Sequence, residues 1–415
     1  MKFFFIVVFW IISLIAASIY TYENPEKIDF VKYYFKTKEN PETKLEKGIE
    51  QTVIANSFNV KFSKEISFSN KTAFIIHEGD DIDFDKNLLK IYFQNGYLTE
   101  NLKTEKLNLP KSFTIQKNGG VKTIFVYDNN DFALISSFEN KCYFASIISL
   151  NNGVEVFKTN CLPEKHIDFN GLGSSNVHLN NKIFLSIGAP EQASSEIREL
   201  AQNENSVFGK IIEIDESDLD KILKNQKSNL QLRVYTKGHR NPQGLTKIEK
   251  NIFSVEHGPR GGDELNRIIE GKNYGWPTVS YGTQYFYEKG GKAYDISHEK
   301  NNFEEPLFAL VPSVGISGLS QCPKKLREYY KKPCLIALSL YGNSLRSGKS
   351  LIIYLLNEEK NQVHSVEQIF LRDDLKFRHF VTNSKNELYE DKEGNIYISA
   401  DKKGIYKISF IDFRS

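Results

Sequence analysis

The sequence predicts an all-β protein built as a β-propeller, and three observations lead to this fold class. Short runs rich in β-branched and aromatic residues, each bounded by turns of Asn, Gly, Asp or Lys, follow one another along the chain. Long helices that alternate with these runs are missing, which argues against the α/β folds. A β-sandwich is too small for so many strands, whereas radial repetition of four-stranded sheets accommodates them.

The predicted strands are short, and two short helices are expected on connecting loops, at 196–202 and 216–224. No sharp internal repeat is visible, so the number of blades does not follow from the periodicity. The clearest predicted strands are 122–128, 131–137, 182–188, 209–215, 230–236, 334–340, 350–356, 395–401 and 404–410.

The first 22 residues read as a membrane anchor or as a signal peptide. Residues 3–19 are apolar except for Ser13 and Ser18, and about 18 apolar residues are enough to span a bilayer core. Small residues at 16–18 keep a cleaved secretory signal open as the alternative. Either segment places the rest of the chain outside the cytoplasm, in the periplasm or anchored to the inner membrane. A Lys- and Glu-rich linker is expected over 23–47, and the propeller over 48–415.

The charge balance argues against nucleic acid as a partner. Lys and Arg number 54 against 52 Asp and Glu, for a formal net charge of +2, so the chain lacks the overall basic footprint of nucleic-acid-binding proteins. The basic run at 324–332 is read as a solvated face, with an anion-binding patch as the alternative.

Four cysteines are placed in a way that suits an oxidising compartment. Cys142 begins one predicted strand and Cys161 ends the next β-rich run, and these two ends are neighbours in an antiparallel hairpin. Cys322 and Cys334 bracket a short polar insert and form a second candidate pair. Four buried free thiols are the alternative. Because no Cys-x-x-Cys spacing occurs, a zinc or thioredoxin-like site is not expected.

Candidate ligand groups are concentrated in one segment of 40 residues. The chain reads GHRNPQGL at 238–245, GPRGGDE at 258–264 and NYGWP at 273–277. Glycine and proline at this density set unusual backbone directions and free carbonyls to face a ligand. Carbonyls and carboxylates together suit Ca²⁺, and Arg240 offers a planar donor fork for a carboxylate-bearing ligand. The alternative is a turn-rich connection held by its own hydrogen bonds.

These three motifs, in this order and spacing, resemble the PQQ-dependent soluble glucose dehydrogenase and aldose sugar dehydrogenase family, the glucose/sorbosone dehydrogenases. The likeness extends upstream through 187–188 and 208–210 and downstream through 314–319 and 376–401, or about two thirds of the chain. It implies a propeller of six blades, with PQQ bound over a Ca²⁺ at one end of the central channel.

By position, the resemblance also implies which residues contact the cofactor. Arg240 and Asn241 would lie at the reactive side of the quinone. Lys376 and Arg378 fall where the family holds the PQQ carboxylates. Lys376 stands where the family has an arginine; it keeps the positive charge but lacks the bidentate donor fork.

The metal sites follow from the same resemblance. The carbonyls of Gly258 and Pro259 would hold the calcium beside the cofactor. Glu264 and the backbone of Tyr274, with Asp263 as a helper, resemble a second calcium site with a structural role.

The chain departs from the family pattern at the general base. The family opens a His-x-Gly-Gly-Arg-like segment with a histidine, but residues 169–176 here read FNGLGSSN. Proton abstraction from a sugar hydroxyl requires a base with a pKa near neutrality, and Asn170 cannot serve. His178 is the candidate base, with His166 and His257 as alternatives, and structural histidines are the competing interpretation.

Two functions are therefore open. An enzyme would oxidise a sugar at the anomeric carbon, pass the hydride to PQQ and be reoxidised by a respiratory electron acceptor. A binding module would keep the calcium-stiffened scaffold without the chemistry, as the absent histidine and Tyr341, near the family's PQQ-pairing lysine, suggest. The interpretation requires the Arg240–Asn241 turn and the 258–259 loop to meet at one mouth of the channel.

Overall fold

The structure is a computed structural model whose described strands form a closed ring of six antiparallel sheets. This arrangement confirms the predicted six-bladed β-propeller. The predicted anchor and His166 lie outside the described residues, and no helix within the described part has the length and hydropathy to cross a membrane. The described residues are 41–79, 82, 89–163, 167–191, 196–224, 229–285, 294–295, 297–341, 349–372 and 374–414.

Blades 1 to 3 are four-stranded meanders in which strands adjacent in the chain are hydrogen-bonded neighbours. Three strands precede them, namely β1 (Thr43–Leu45), β2 (Gln51–Ile54) and β3 (Asn59–Phe68). Blade 1 contains β4 (Thr72–His77), β5 (Leu89–Phe93), β6 (Tyr97–Glu100) and β7 (Lys103–Lys106). Blade 2 contains β8 (Val121–Tyr127), β9 (Asn130–Glu139), β10 (Cys142–Ser149) and β11 (Val154–Lys158). Blade 3 contains β12 (Asn176–Leu179), β13 (Lys182–Ile187), β14 (Lys210–Asp215) and β15 (Arg233–Lys237).

Blades 4 and 5 follow the same plan, whereas blade 6 joins the two ends of the described chain. Blade 4 contains β16 (Pro242–Ile248), β17 (Asn251–Glu256), β18 (Asp263–Ile268) and β19 (Phe308–Leu310). Blade 5 contains β20 (Ile316–Gln321), β21 (Cys334–Ser339), β22 (Lys349–Leu356) and β23 (Val363–Arg372). Blade 6 contains β24 (Phe377–Phe380), β25 (Ile396–Ala400) and β26 (Gly404–Ile411), and β3 pairs with β26 to complete it.

The closure of blade 6 by β3 gives the ring its continuity, because the first long strand and the last strand share one sheet. Both β1 and β2 add to β3. Thus Thr43–Leu45, inside the stretch read as a linker, pairs with the last blade.

The short helices lie on connections between strands, as predicted. A 3₁₀ helix spans Glu196–Ala201, and α1 spans Glu216–Leu223 with Asp215 as its N-cap, accepting from the Ser217 amide. In the basic run, α2 spans Lys324–Tyr330. Both predicted disulfides are present: Cys142–Cys161, with Cα atoms 5.4 Å apart, and Cys322–Cys334, with Cα atoms 5.5 Å apart.

The hydrophobic core is divided into clusters that lie between adjacent blades. Ile336 and Phe377 belong to the cluster between blades 5 and 6, and Val177 and Leu245 to the one between blades 3 and 4. Full burial of a side chain of this size contributes about 1.5–3 kcal/mol relative to exposure. Each blade is therefore stabilised by both of its neighbours, and the inner strands hold a fixed position around the channel.

The inner strands of the blades, β4, β8, β12, β16, β20 and β24, contact one another in sequence around the channel axis. Residues at or just before the starts of five of these strands line one common cavity, so these starts lie at a single mouth of the channel. We call this end, where the cofactor is expected to bind, the cofactor mouth.

Opposite the cofactor mouth, a loop after β24 closes the channel. The Asn386 side-chain amide donates to the carbonyl oxygens of Asn176 and Leu245, which belong to blades 3 and 4 across the axis. Lys247 pairs with Glu387 of the same loop at 3.0 Å. This loop separates the far end of the channel from the cofactor mouth.

Candidate functional site

The Arg240 turn and the 257–259 loop meet at the cofactor mouth. Arg240 lies between β15 and β16, and residues 257–259 follow β17. The Nη1 atom of Arg240 donates to the Gly258 carbonyl at 2.8 Å and to the His257 carbonyl at 3.2 Å. Because β16 and β17 pair from Pro242 opposite Glu256, the sheet register brings the two loops together.

Arg240 is held by its surroundings as well as by these carbonyls. Its Nε lies 3.4 Å from the buried Glu191 carboxylate, and its guanidinium carbon lies 5.2 Å from the Trp276 ring. Its backbone amide donates to Glu256 at 2.7 Å. A planar cation between a carboxylate and an aromatic face loses little freedom when a ligand binds, so the donor fork is preorganised.

Beneath the turn, Glu256 anchors the loop through a buried network. Its carboxylate also lies 2.9 Å from the His239 ring, whose other nitrogen lies 2.9 Å from the Thr236 hydroxyl. Burial acts to raise the pKa of Glu256, but the His239 charge and the amides of Arg240 and Asn241 lower it below its ordinary value. An ionised Glu256 therefore holds the start of the turn.

Asn241 connects the turn to the segment in which the family's histidine is missing. Its Oδ1 accepts from the Gly173 amide at 2.9 Å and from Gln243 at 2.8 Å. The contact is close, since a Cβ on Gly173 would lie 2.3 Å from that oxygen. Asn241 thus lies against residues 169–174 of blade 3.

His257 lies beside Asn241 with its ring orientation set by that amide. Since the Asn241 oxygen accepts two bonds, its amide nitrogen is the donor to His257 Nδ1 at 3.3 Å. Burial lowers the pKa of His257, so the ring is neutral near pH 7 and carries its proton on Nε2. His257 is therefore a neutral imidazole at the cofactor mouth.

The structure places His178 away from this cluster. The His178 carbonyl accepts from Lys247, which follows Asn241 by six positions along β16. At about 3.3 Å per strand residue, that separation is roughly 20 Å along the channel. Burial is the main cause that lowers the pKa of His178 to about 4, and the loop containing Glu387 lies beside it. His178 therefore does not lie with Arg240 and Asn241.

The two carbonyls expected to hold calcium already accept protein donors. Gly258 O accepts from Arg240, and Pro259 O accepts from the Tyr285 hydroxyl at 3.0 Å. Each carbonyl has a second lone pair, and hard oxygen donors suit Ca²⁺. The donor set thus fits the ion chemically, while the guanidinium on Gly258 O opposes a second cation there in the ligand-free protein.

Asp263 stabilises the 257–259 loop, because both of its carboxylate oxygens accept backbone amides. One oxygen accepts from the Gly258 amide at 3.2 Å, and the other accepts from the amides of Val314 and Ile316 at 3.0 Å each. Asp263 therefore ties the calcium loop to the start of blade 5. A helper role toward a metal remains a prediction.

The second predicted calcium site contains a buried carboxyl pair. Glu264 lies opposite Glu256 in the register of β17 and β18, and Asn266 donates to both carboxylates. Burial, together with the Glu256 charge, raises the pKa of Glu264 well above its ordinary value. The Tyr274 ring stacks on His239 with centroids 4.5 Å apart. Among the residues with described positions, no three Asp, Glu, His or Cys side chains converge as a metal cluster.

The two basic residues predicted to hold carboxylates differ in their surroundings. Arg378 is paired with Asp401 through Nε–Oδ1 and Nη2–Oδ2 contacts of 2.5 Å each, and it lines the cavity at the cofactor mouth. Lys376 is exposed, with Nζ 4.4 Å from the centre of the Tyr341 ring. Arg378 thus lines the cavity at the mouth, and Lys376, two residues before it, is exposed.

Three residues at this mouth were missed by the sequence analysis. Lys71 and Lys122 line the same cavity as Arg378, and Glu191 contacts Arg240. Lys122 lies in a run that was assigned only as a strand, and a lysine within an otherwise apolar run was the available signal. Glu191 lies just after 187–188, and no motif marked it.

Comparison with known proteins identifies the family. The model of the family described as "Glucose / Sorbosone dehydrogenase" matches residues 151–406. An aldose sugar dehydrogenase of Escherichia coli is 30% identical over 148 residues, which cover 33% of this chain and 36% of that protein. The matched stretch thus spans about a third of that relative's length.

Two solved structures share the fold. The apo-form of the soluble aldose sugar dehydrogenase from E. coli has a TM-score of 0.61 at 20% identity and covers 82% of this chain and 96% of its own. The PQQ-bound form of an aldose sugar dehydrogenase from Streptomyces coelicolor has a TM-score of 0.54 at 16% identity and covers 89% of this chain and 98% of its own. With the propeller and its turn-rich mouth in place and the family model matching more than half of the chain, the protein belongs to the glucose/sorbosone dehydrogenase family.

Proposed function

We propose that the protein is an aldose sugar dehydrogenase that uses PQQ and Ca²⁺ and acts outside the cytoplasm. The observation that carries the proposal is the meeting of Arg240, Asn241 and the Gly258 carbonyl at one mouth of the channel. Family membership supports a sugar substrate, and the Streptomyces coelicolor neighbour is a PQQ-bound protein. Hydride acceptance, assisted by the polarising cation, is the chemistry that the cofactor supplies when bound.

Hydrogen-bond donors would hold the cofactor, and oxygen ligands would hold the ion. Arg240, Asn241 and Arg378 offer donors to the oxygens of an acidic quinone. Gly258 and Pro259 offer carbonyls to Ca²⁺, and Glu264 with the Tyr274 backbone and Asp263 remain the proposed second calcium site. Lys376, exposed near Arg378, would attract an acidic ligand by its charge.

The chain must also take the proton of the sugar hydroxyl. Two acceptors lie at the cofactor mouth: the Glu191 carboxylate beside the Arg240 guanidinium, and the neutral His257 imidazole, whose Nδ1 must first release the Asn241 amide. His178 lies at the far end of the channel, so we place the acceptor at one of the first two residues. The proton acceptor would then be supplied from a different loop than in the family pattern.

A binding module is the second candidate function. Residues 169–176 hold no histidine, and the exposed Tyr341 lies under Lys376 near the position of a family lysine. A propeller of this kind would bind an acidic ligand at the same mouth without oxidising a sugar.

Reconstitution separates the two functions. The purified full-length protein is incubated with Ca²⁺ and PQQ, and reduction of a dye is followed with a panel of aldoses. An enzyme shows sugar-dependent dye reduction and a higher melting temperature with PQQ. PQQ binding without dye reduction supports the binding module, and no binding removes the PQQ-dependent enzyme.

Two variants locate the site within that experiment. Arg240→Ala is expected to lose PQQ binding, whereas Arg372→Ala, which changes an exposed arginine paired with Asp374, serves as the control. Unchanged PQQ binding by Arg240→Ala would show that the site lies elsewhere. Glu191→Gln and His257→Asn then assign the proton acceptor, since only loss of the acceptor abolishes turnover while PQQ still binds.

A further inference from the structure

A small cavity at the cofactor mouth is lined by basic and amide side chains. Lys71, Lys122 and Arg378 contribute the charges, and Gln94, Asn170 and Gln243 contribute the amides. None of the described residues that line this cavity is acidic. Arg378 is neutralised by Asp401, but Asp401 does not itself line the space.

The size of the cavity limits what can enter it. Its volume is about 40 Å³, and a single water needs roughly 10–15 Å³ by the same measure. About three heavy atoms therefore fit, which is the size of one carboxylate group. A whole cofactor or sugar does not fit, so the cavity suits a charged substituent of a larger ligand.

Lys122 differs from Lys210, the other buried lysine among the described residues, in how its ammonium is bonded. Lys210 Nζ donates to three carbonyls, those of Leu200, Ala201 and Phe208. Lys122 Nζ donates to two, Asn118 O at 2.9 Å and Phe169 O at 2.7 Å. An ammonium has three donors. The bonds of Lys210 saturate it, whereas those of Lys122 leave one donor for a ligand in the cavity.

The charges of Lys71 and Arg378 act on Lys122. Burial is the main cause that lowers the pKa of Lys122 to about 7; Asp168 acts to raise it, and Lys71 and Arg378 act to lower it. Asp168 itself accepts from Asn118 and from the Asn170 amide. The remaining titratable neighbour, His379, has its pKa lowered to about 3, chiefly by burial, and is neutral. An anion in the cavity would act in the same direction as Asp168 and favour the charged form of Lys122.

We propose that Lys122, with Lys71 and Arg378, forms a receptor for one carboxylate of the ligand that binds at the cofactor mouth, and that Lys122 takes up a proton as the ligand binds. The identification of that ligand as PQQ rests on the proposed function. The receptor lies on blades 1, 2 and 6, opposite the Arg240 side of the mouth, so one acidic ligand would be held from both sides.

Calorimetric titration tests the proposal without any turnover. PQQ and benzene-1,3,5-tricarboxylate are titrated into the full-length protein at about pH 8, where Lys122 is mostly neutral, in buffers of different ionisation enthalpy. We expect uptake of about half to one proton per ligand bound. The proton arises because the carboxylate returns the lysine to its charged form.

Three variants test whether Lys122 is responsible for ligand affinity and for proton uptake. Lys122→Met is expected to weaken binding by about 10- to 100-fold, the loss typical of one charge-assisted hydrogen bond, and to abolish proton uptake. Lys122→Arg is charged at every pH tested, so it should retain binding but show no uptake. Lys210→Met is the matched control, because it removes a buried lysine that does not line the cavity, and it should leave affinity and uptake unchanged.

The outcomes separate this proposal from the proposed function. Binding with proton uptake but without sugar oxidation keeps the receptor and removes the dehydrogenase. Wild-type affinity in Lys122→Met, or proton uptake that persists in Lys122→Met and Lys122→Arg, overturns the receptor. So does failure of both ligands to bind a folded wild-type protein.

Discussion

The guanidinium of Arg240 donates to the carbonyl of Gly258 at 2.8 Å, on the oxygen that was expected to bind calcium. The same arginine also contacts Glu191 and Trp276, which keep it near that oxygen. A cation of the protein and a cation from solution therefore compete for one carbonyl. An acidic ligand that draws the guanidinium toward itself would relieve the competition, which links cofactor binding to metal binding.

Calcium is accordingly expected to bind the ligand-free protein weakly and to bind more tightly with PQQ present. Arg240→Ala should raise calcium affinity in the absence of PQQ by at least about tenfold, because it removes a positive charge next to the ion. Calorimetry with CaCl₂, with EGTA added to reverse the effect, measures both affinities. Arg372→Ala is the control, and unchanged or lower calcium affinity in Arg240→Ala would contradict the competition.

Glu191 is expected to stabilise the cofactor mouth by pairing with Arg240. Its side chain is 3% exposed and lies 3.4 Å from Arg240 Nε, so Glu191→Gln leaves a buried cation with one partner fewer. We expect a loss of about 1–3 kcal/mol in the free energy of unfolding, measured by urea denaturation.

The matched control for this prediction is Glu199→Gln. Glu199 lies 3.5 Å from Arg198 Nε but is 63% exposed, and exposed pairs contribute at most about 1 kcal/mol. Equal losses in the two variants would show that burial of the Glu191 pair has no energetic role.

The buried pair of Arg378 and Asp401 should make the free energy of unfolding depend on pH in the acidic range. Burial acts to raise the pKa of Asp401, but the Arg378 charge and hydrogen bonds lower it below its ordinary value. The stabilisation is therefore present at neutral pH and is lost as the pH falls below the ordinary aspartate pKa, near 4.

Asp401→Asn tests this dependence. It should reduce the free energy of unfolding by about 3–5 kcal/mol near pH 7, and the difference from wild type should narrow at acidic pH. Asp374→Asn, in an exposed pair with Arg372, is the control. A difference that stays constant from neutral to acidic pH would be inconsistent with the lowered pKa.

His178 is expected to destabilise the fold at mildly acidic pH. Burial lowers its pKa to about 4, whereas an unfolded histidine titrates near 6.5. Between these values the unfolded chain binds the extra proton, so stability falls as the pH decreases through this window, by up to about 3 kcal/mol.

His178→Gln should reduce the fall in melting temperature between pH 6.5 and pH 4, and the exposed His364 provides His364→Gln as the control. If the melting temperatures of both variants depend on pH as that of the wild type does, His178 is not buried in its neutral form. A normal PQQ affinity in His178→Gln would agree with its place at the far end of the channel.

The sequence by itself determined the fold class, both cysteine pairs and the family, since each rests on local patterns. Turn-bounded β-rich runs specify strands, and hairpin ends bring Cys142 to Cys161. The motifs at 238–264 also placed Arg240 just before β16 and Gly258 just after β17, where pairing of these two strands brings them together.

Only the tertiary structure decided which side chains from different blades share the channel. Lys71, Lys122 and Arg378 come from blades 1, 2 and 6, and nothing in their local sequence relates them. His178, which is close in sequence to the gap in the family pattern, lies beyond it because an inner strand runs about 3.3 Å per residue along the axis. Which side chains of different blades meet around the closed ring depends on how far each blade extends along the channel. Packing between the blades sets that distance, and no single run of residues determines it.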